Sequence, residues 1–161
     1  MIRFFYSLLV YFLLPFTVFK LIYRGFKQPD YLKHWDERYG FYSLSTKKVW
    51  AKRKTLWIHA VSVGETKAAI PFIQLFLKKY PHHHLLITHG TPTGRATSID
   101  IKHNRITRIY LPFDTVDATQ RFLNTFKPEL GFLLETELWF NLIHQAHQKP
   151  ADKLAPPKAY G

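Results

Sequence analysis

The stretch "WIHAVSVGET", Trp57–Thr66, decides the fold because an apolar run leads directly into the start of a helix. Leu56–Val63 predicts a strand that is buried on both faces. Thr66–Lys79 has apolar residues at helical spacing and predicts a helix. Gly64 places Glu65 in the first turn of this helix. A carboxylate there either complements the helix dipole or serves as a base for a substrate.

The alternation of strand and helix continues along the chain. Apolar runs predict further strands at Leu85–Thr88, Ile106–Phe113 and Leu130–Leu134. Helical patterns come after them at Thr93–Lys102, Val116–Lys127 and Leu138–His147. Repeated strand–helix units with short connections predict an α/β fold, in which a parallel sheet with flanking helices forms a Rossmann-like half.

Ligands of such sheets bind at the carboxyl ends of the strands, so the residues just after each strand are candidates for a site. After the first two strands these candidates are Ser62, Gly64, Glu65, Lys67, Thr91, Thr93, Gly94 and Arg95. The motif "GTPTG" either caps a helix within a turn or cradles an anionic group at a helix N-terminus. Lys67 and Arg95 are candidate phosphate contacts. Neither a dinucleotide fingerprint nor a Walker A loop is present, because their required glycines and lysine are missing.

Two more carboxylates, Glu135 and Glu137, come after the fourth strand. If the first and fourth strands are neighbours, Glu65 and Glu135 face one crevice. Two carboxylates in a partly desolvated crevice perturb each other's pKa, which suits one of them to general-base catalysis. Asp114 is expected to cap the turn that comes directly after it.

Two histidines also fall near the predicted site. We expect His59, within a strand, to be packed in the core, and His89, at a strand end, to line the site.

The N-terminal segment is apolar from Phe4 to Phe19 and is followed by Lys20, Arg24 and Lys27. About sixteen helical residues reach ~24 Å, short of a ~30 Å hydrocarbon core. A snorkelling Lys20 would extend the apolar length through Tyr23. We predict an uncleaved membrane anchor over residues 1–23, with a helix lying in the interface or a buried soluble helix as alternatives. The cations after the segment favour a cytoplasmic location for the domain on their carboxyl-terminal side.

The rest of the composition indicates an anionic partner. Lys and Arg outnumber Asp and Glu by 23 to 11, giving a formal charge of +12. Residues 24–54 mix cations with aromatic rings, which suits lipid headgroups, although the same mixture can stack nucleic-acid bases or pack its rings onto the main domain. The adjacent apolar segment favours lipid over nucleic acid. The chain has no cysteine, which excludes a disulfide framework and a thiolate metal site.

Several motifs in order resemble one known family. They are "WDERYGFY", "WIHAVSVGET", "TPTG", "YLPFD", "KPELGFLLETELW" and "NLI". Together with the apolar N-terminus they are similar to the 3-deoxy-D-manno-octulosonic acid (Kdo) transferases, which attach Kdo to the lipid A precursor of Gram-negative bacteria. The resemblance extends from about Met1 to Lys149.

The resemblance implies a fold, a chemistry and a place. It implies the N-terminal half of a GT-B glycosyltransferase, whose amino-terminal domain takes the lipid A precursor and whose carboxyl-terminal domain holds CMP-Kdo. No metal and no cofactor are implied. Glu65 corresponds to the family's catalytic base and Glu135 to a glutamate associated with transition-state stabilisation. The implied location is the cytoplasmic face of the inner membrane, in contact with anionic lipids and not with nucleic acid.

The chain also departs from the family. Phe140 stands where the family usually has proline, and "PADKLAPPKAYG" at residues 150–161 has no family likeness. We therefore expect an anchor at 1–23, a basic aromatic membrane-proximal segment at 24–54, a Rossmann-like acceptor-side domain at 55–149 and an irregular tail at 150–161. The donor domain is expected to be absent, which would leave the chain inactive alone. A membrane-tethered module that binds anionic lipid without chemistry is the alternative function.

Overall fold

The computed structural model of the protein describes residues 2–134 and 139–148. The helices are α1 (Ile2–Lys27), α2 (Leu44–Trp50), α3 (Val63–Lys79), α4 (Pro92–Ile99), α5 (Val116–Phe126) and α6 (Phe140–Gln148). The strands are β1 (Lys54–His59), β2 (His83–His89), β3 (Ile106–Tyr110) and β4 (Pro128–Leu133). Two short 3₁₀ helices, Pro29–Leu32 and Trp35–Tyr39, lie between α1 and α2.

The strands form one parallel sheet in the order β3-β2-β1-β4. This confirms the predicted α/β, Rossmann-like fold. Strand β1 is central and buried, and it pairs with β2 on one side and β4 on the other. The first and fourth strands are therefore neighbours, as the predicted crevice requires. Within the described residues, β4 has a strand partner on one edge only.

The core lies in two layers because successive strand side chains point to opposite faces of the sheet. One cluster joins Trp57 and Leu86 to Phe122 and Phe126 of α5. The other joins alternate strand residues such as Ile58 to Ile73 and others from α3. The helices thus cover both faces, which is the arrangement that fully buried parallel strands require.

Two strands end earlier than the sequence predicts. The first is expected to reach Val63 but ends at His59, because the hydroxyl of Ser62 already caps α3. The third is expected to reach Phe113 but ends at Tyr110. There the backbone N–H of Phe113 bonds to the carbonyl of Arg38, 2.8 Å away, in the second 3₁₀ helix and not to a neighbouring strand.

Helix α1 is long and apolar enough to cross a membrane by length and composition. Its 26 residues correspond to about 39 Å of helix. Most of its large apolar side chains are exposed on the surface.

A groove of about 510 Å³ runs beside β4 and α6. Its walls include Trp57, Leu130 and Leu133 from the sheet, and Leu142 and Ile143 from α6. Glu65 is not among its lining residues, so this groove is separate from the site predicted at the carboxyl ends of the strands.

Candidate functional site

The loops that come after β1 and β2 pack closely together at the carboxyl edge of the sheet. A Cβ atom on Gly90 would come within 2.7 Å of a Val61 methyl group, and one on Gly94 within 2.9 Å of the Val61 carbonyl oxygen. The hydroxyl of Thr91 donates to that same carbonyl, 3.0 Å away. The missing side chains therefore allow the first turn of α4 to lie against the loop that leads into α3.

Glu65 lies in the first turn of α3, as the sequence predicts, and its carboxylate is held by the loop before it. The hydroxyl of Ser62 donates to one carboxylate oxygen at 2.6 Å, and the backbone N–H of Val61 donates to the other at 2.6 Å. Ser62 also caps the helix by accepting from the Glu65 N–H. This reciprocal pattern resembles a capping box, and such caps contribute about 0.5–2 kcal/mol.

The bonds by which Glu65 caps α3 do not use all of the hydrogen-bonding sites on its carboxylate. An ionised carboxylate has about four lone-pair sites, and two are used here. The side chain is half-buried at the carboxyl end of the central strand. The same carboxylate can therefore both cap α3 and accept a proton from a bound molecule.

The predicted partners on α4 serve mainly local structure. Thr91 is the N-cap of this helix and accepts from the Gly94 N–H, while the hydroxyl of Thr93 donates to Thr91 at 3.3 Å. Gly94 is buried, and Thr93 is exposed. These contacts match the helix-cap interpretation of "GTPTG", and whether the same residues hold an anion stays a prediction.

The two cationic candidates differ. Lys67 is exposed on α3, next to the capped turn. Arg95 instead forms an ion pair with Glu37, with nitrogen–oxygen distances of 2.6 and 3.4 Å, and its guanidinium lies 4.9 Å from the centre of the Tyr110 ring. Arg95 is therefore engaged within the domain, and whether either cation contacts a phosphate group stays a prediction.

Sequence reasoning missed the group that Arg95 joins. Glu37 also accepts from the backbone N–H of Tyr110 at 2.9 Å. The neighbouring Arg38 is 5 % exposed, donates to the carbonyl of Gly90 and stacks 4.0 Å from the Tyr110 ring centre. Burial lowers the pKa of Arg38. The adjacent acidic and basic residues in "WDERYGFY" are the sequence feature that could have indicated this group. From the sequence alone, the aromatic rings and cations of the same segment predict lipid contact instead.

The predictions for the two histidines have different outcomes. His59 is 3 % exposed and bonds to Thr88 at 2.8 Å, which confirms that it is packed in the core. His89 is expected to line the site but is 0 % exposed, so that prediction is wrong. Its ring bonds to the carbonyl of Ala60 at 2.9 Å, and burial lowers its pKa to about 4.

Asp114 is a cap, but for a helix distant along the chain and not for the turn directly after it, as predicted. Thr115 caps α5, which begins directly after it. The Asp114 carboxylate accepts instead from the backbone N–H groups of Asn141 and Leu142, at 3.0 and 2.9 Å, and so holds the start of α6. Burial raises the pKa of Asp114. The cap bridges 27 residues, which a local sequence rule does not detect.

Glu135 and Glu137 lie outside the described residues. The chain enters that segment at Leu134, whose N–H bonds to the carbonyl of His59 at 3.2 Å. It leaves the segment at Trp139, whose ring centre is 5.9 Å from that of His59. Both ends of the segment that carries Glu135 and Glu137 therefore lie at the carboxyl end of β1, the strand that leads to Glu65.

Comparison with known proteins gives a consistent result. Residues 33–153 match the family model described as 3-Deoxy-D-manno-octulosonic-acid transferase (kdotransferase). A 3-deoxy-D-manno-octulosonic acid transferase of Haemophilus influenzae is 37% identical over 143 residues, covering 89% of this chain and 33% of the relative. The enzyme of the same name from Bordetella pertussis is 41% identical over 97 residues, covering 56% of this chain and 22% of the relative.

A more distant relative extends the match beyond bacteria. The probable mitochondrial 3-deoxy-D-manno-octulosonic acid transferase of Arabidopsis thaliana is 30% identical over 145 residues, covering 88% of this chain and 31% of the relative. No solved structure matches the chain significantly. The chain spans about a third or less of the length of these relatives. Its ordered motifs, its sheet and this match over most of its length agree, and the chain belongs to the Kdo transferase family.

Proposed function

We propose that the chain is the acceptor-side part of an enzyme that transfers Kdo from CMP-Kdo to the lipid A precursor in lipopolysaccharide biosynthesis. Membership of the family supports the reaction. The observation that carries the proposal for this chain is the position of Glu65, which is held by two hydrogen bonds at the carboxyl end of the central strand. Ligands of open α/β sheets bind at that edge.

In the proposed reaction Glu65 is the general base. It accepts the proton from a sugar hydroxyl of the acceptor while that oxygen attacks the anomeric carbon of Kdo. The bond from this carbon to the CMP phosphate breaks, and CMP leaves as an anion that needs no general acid. Ser62 and the Val61 N–H orient the carboxylate before the acceptor arrives, which is the preorganisation that efficient proton transfer requires.

The other predicted site residues have supporting roles in this proposal. Glu135 stabilises the transition state, and Glu137 lies beside it in the same segment. Lys67, Thr93 and the first turn of α4 contact the acceptor, while Ser62, Gly64, Thr91 and Gly94 shape the loops that receive it. The positions of both ends of residues 135–138 beside His59 support the pairing of Glu135 with Glu65.

The proposed partners explain the charge of the chain. A phosphorylated glycolipid acceptor and the anionic inner-membrane surface both attract a protein with a formal charge of +12, and no nucleic acid is proposed. The domain lies on the cytoplasmic face in this proposal, which is supported by the cations that come after the apolar part of α1.

The test uses a fusion protein, because the chain covers about a third of its Haemophilus influenzae relative. Residues 1–148 are joined in frame to the remaining part of that relative, and transfer from CMP-Kdo to lipid A precursor is measured. We expect activity in the fusion and none from residues 1–161 on their own. Glu65→Gln in the active fusion should lower turnover by about 10²–10⁴-fold, because the amide keeps the size of the side chain but not its basicity.

The matched control is Glu129→Gln. Glu129 is also a partly buried, hydrogen-bonded glutamate, but it contacts His83 at 3.1 Å near the amino ends of the strands. This variant should keep its turnover. If Glu65→Gln retained turnover close to that of the parent fusion, Glu65 would be a helix cap only and the proposed mechanism would be wrong.

A further inference from the structure

One face of α1 is a continuous apolar surface. Its large side chains recur at intervals of three or four residues and are mostly more than half exposed: Phe5, Leu8, Phe12, Phe16, Phe19, Tyr23 and Phe26. At this spacing they lie on one side of the helix. An exposed apolar surface of this extent on a soluble protein indicates contact with a membrane or another protein.

The opposite side of α1 faces the rest of the protein. It carries half-buried or buried residues at the same spacing: Tyr6, Ser7, Val10, Leu14, Thr17, Val18, Leu21 and Gly25. The cations Lys20, Arg24 and Lys27 lie beyond the apolar segment along the helix. The helix therefore has one side for the protein and another for an apolar environment.

Three hydrogen bonds attach the first turns of α1 to the main domain. The Tyr6 hydroxyl donates to Asp114 at 2.7 Å, and the Ser7 hydroxyl donates to the Asn141 side chain at 3.0 Å. The Tyr11 hydroxyl donates to Asp117 at 2.7 Å. We call these three bonds the α1 latch.

The acceptors of the α1 latch are fixed parts of the domain. Asp114 holds the start of α6 through two backbone N–H groups, and Asp117 forms an ion pair with Arg121 at 2.5 Å. Burial would raise the pKa of Asp117, but its hydrogen bonds outweigh that effect and lower the pKa to about 2. Asp117 is therefore ionised at neutral pH and is a strong acceptor for the Tyr11 hydroxyl.

The other end of α1 packs against the segment that comes directly after it. Leu32 of the first 3₁₀ helix fills the space beside Gly25, where a Cβ would meet its side chain at 2.5 Å. A few residues later the Glu37–Arg95 ion pair fixes the second 3₁₀ helix to α4. The carboxyl end of α1 is thus linked, through this short segment, to the domain that the α1 latch joins.

This arrangement cannot be kept by a helix that crosses a membrane. From Tyr6 to Lys27 the helix rises about 32 Å, close to the ~30 Å of a hydrocarbon core. If Lys27 lay at one surface, Tyr6 and Ser7 would lie near the other. The domain that carries Asp114 and Asp117 would then have to reach from the Lys27 side through the hydrocarbon to keep these bonds, and an ionisable side chain there is costly.

We infer that α1 lies in the plane of the membrane, on one leaflet, and that the α1 latch keeps it there. The exposed apolar face enters the acyl region, and Lys20, Arg24 and Lys27 reach the headgroups. The occupant of this face is a lipid surface, because the apolar residues are flanked by cations that match anionic headgroups. The inference rests on the membrane association proposed above but not on the transfer chemistry.

Thiol labelling of the full chain tests this inference, and the absence of any native cysteine makes a single introduced thiol the only one. Arg3→Cys reports the amino end of α1. Leu44→Cys, at an exposed site on α2, is the control for a thiol that always faces the domain side. Each variant is added to preformed vesicles of phosphatidylethanolamine and phosphatidylglycerol, and a membrane-impermeant maleimide is applied from outside.

We expect both thiols to be labelled to the same extent before detergent is added. Labelling of the Arg3→Cys thiol only after detergent would place that end inside the vesicle and overturn the inference. The readout needs no enzyme activity, so a failure of the proposed reaction would leave this result intact.

A second set of variants tests the α1 latch itself. Tyr6→Phe, Ser7→Ala and Tyr11→Phe, combined in the Arg3→Cys background, remove the three hydroxyls but keep both rings. Part of the Arg3→Cys thiol should then become protected until detergent is added, because the first turns lose their hydrogen bonds to the domain. Tyr23→Phe, on the exposed face, is the matched control and should leave labelling unchanged. Unchanged labelling in the triple variant would show that the hydroxyls do not hold the helix in plane.

Discussion

Single residues set how closely the two loops of the candidate site approach each other. Gly94 is the clearest case, because a side chain there would collide with the loop after β1. Its φ angle does not require glycine, so the requirement is one of space. The geometry around Glu65 thus depends on the lack of a side chain at Gly94 in the neighbouring helix α4.

We expect Gly94→Ala to destabilise the protein by about 1–3 kcal/mol, the usual cost of overpacking. The added Cβ would lie 2.9 Å from the carbonyl oxygen of Val61 and 3.1 Å from the hydroxyl of Thr91. The matched control is Gly64→Ala, also in the first turn of a helix, where the nearest atom would be 3.9 Å away. That change should be neutral or stabilising, since alanine is the better helix former. Denaturant unfolding measures both, and equal effects would contradict this interpretation of Gly94.

Among the elements, the second 3₁₀ helix holds several others together, although it has only five residues. Glu37 reaches Arg95 and the backbone of Tyr110, and Arg38 reaches the carbonyl of Gly90. Arg121 of α5 donates to the carbonyl of Tyr39, at 2.8 and 3.1 Å. This short helix therefore connects α4, α5 and the ends of β2 and β3.

The Glu37–Arg95 pair should show strong coupling in a double-mutant cycle. Glu37→Gln, Arg95→Met and the double variant are compared by denaturant unfolding, and we expect about 1–3 kcal/mol of coupling. Both side chains are largely buried, so removal of one leaves the other charge without its partner. The exposed Asp30–Lys33 pair is the control, and it should show no measurable coupling. Equal coupling in both cycles would mean that burial does not strengthen the Glu37–Arg95 pair.

Elements with a regular period could be predicted from the sequence, and contacts between distant elements could not. The apolar runs at Leu56 and Leu85 predict β1 and β2 because buried parallel strands are continuously apolar. The place of Glu65 is predicted correctly because it depends on the helix start alone. The partner of Arg95 lies 58 residues away, and the cap formed by Asp114 serves a helix 27 residues further on. No local pattern encodes such pairs, so they emerge only when the chain is folded.

For the molecule as a whole, the segments before the sheet are not a free tether. The second 3₁₀ helix, predicted as part of a membrane-proximal segment, is bound to the main domain, which agrees with the alternative that this segment packs its rings there. The Tyr39 ring lies 5.5 Å from that of Phe113, and the Tyr42 ring 4.8 Å from that of Phe126. The domain boundaries at residues 23 and 54 remain a proposal. The α1 latch joins α1 to the domain that carries the candidate site. If α1 lies on the membrane as inferred above, this connection would fix the distance between the reacting groups and the lipid surface.

The free energy of unfolding of the protein should decrease in mild acid because of His89. Burial lowers the pKa of this histidine from 6.5 to about 4 in the folded protein. Between these values the unfolded chain binds a proton that the folded chain does not, so the free energy of unfolding falls as pH falls from 6.5 to about 4. The full difference corresponds to about 3 kcal/mol.

His89→Gln should flatten this dependence when unfolding is measured across the same pH range. The exposed His82→Gln is the control and should leave the dependence unchanged. A parent protein whose stability did not change over this range would show that His89 is not held neutral by the fold.

The one-sided pairing of β4 within the described residues has a consequence for solution behaviour. A strand edge with free backbone donors and acceptors is a template for another strand, and the apolar groove beside it favours such an addition. Copies of residues 1–161 should therefore associate edge to edge as their concentration rises. A peptide or domain that added a parallel strand to β4 should prevent this association. The yield of soluble protein on co-expression would therefore measure its binding.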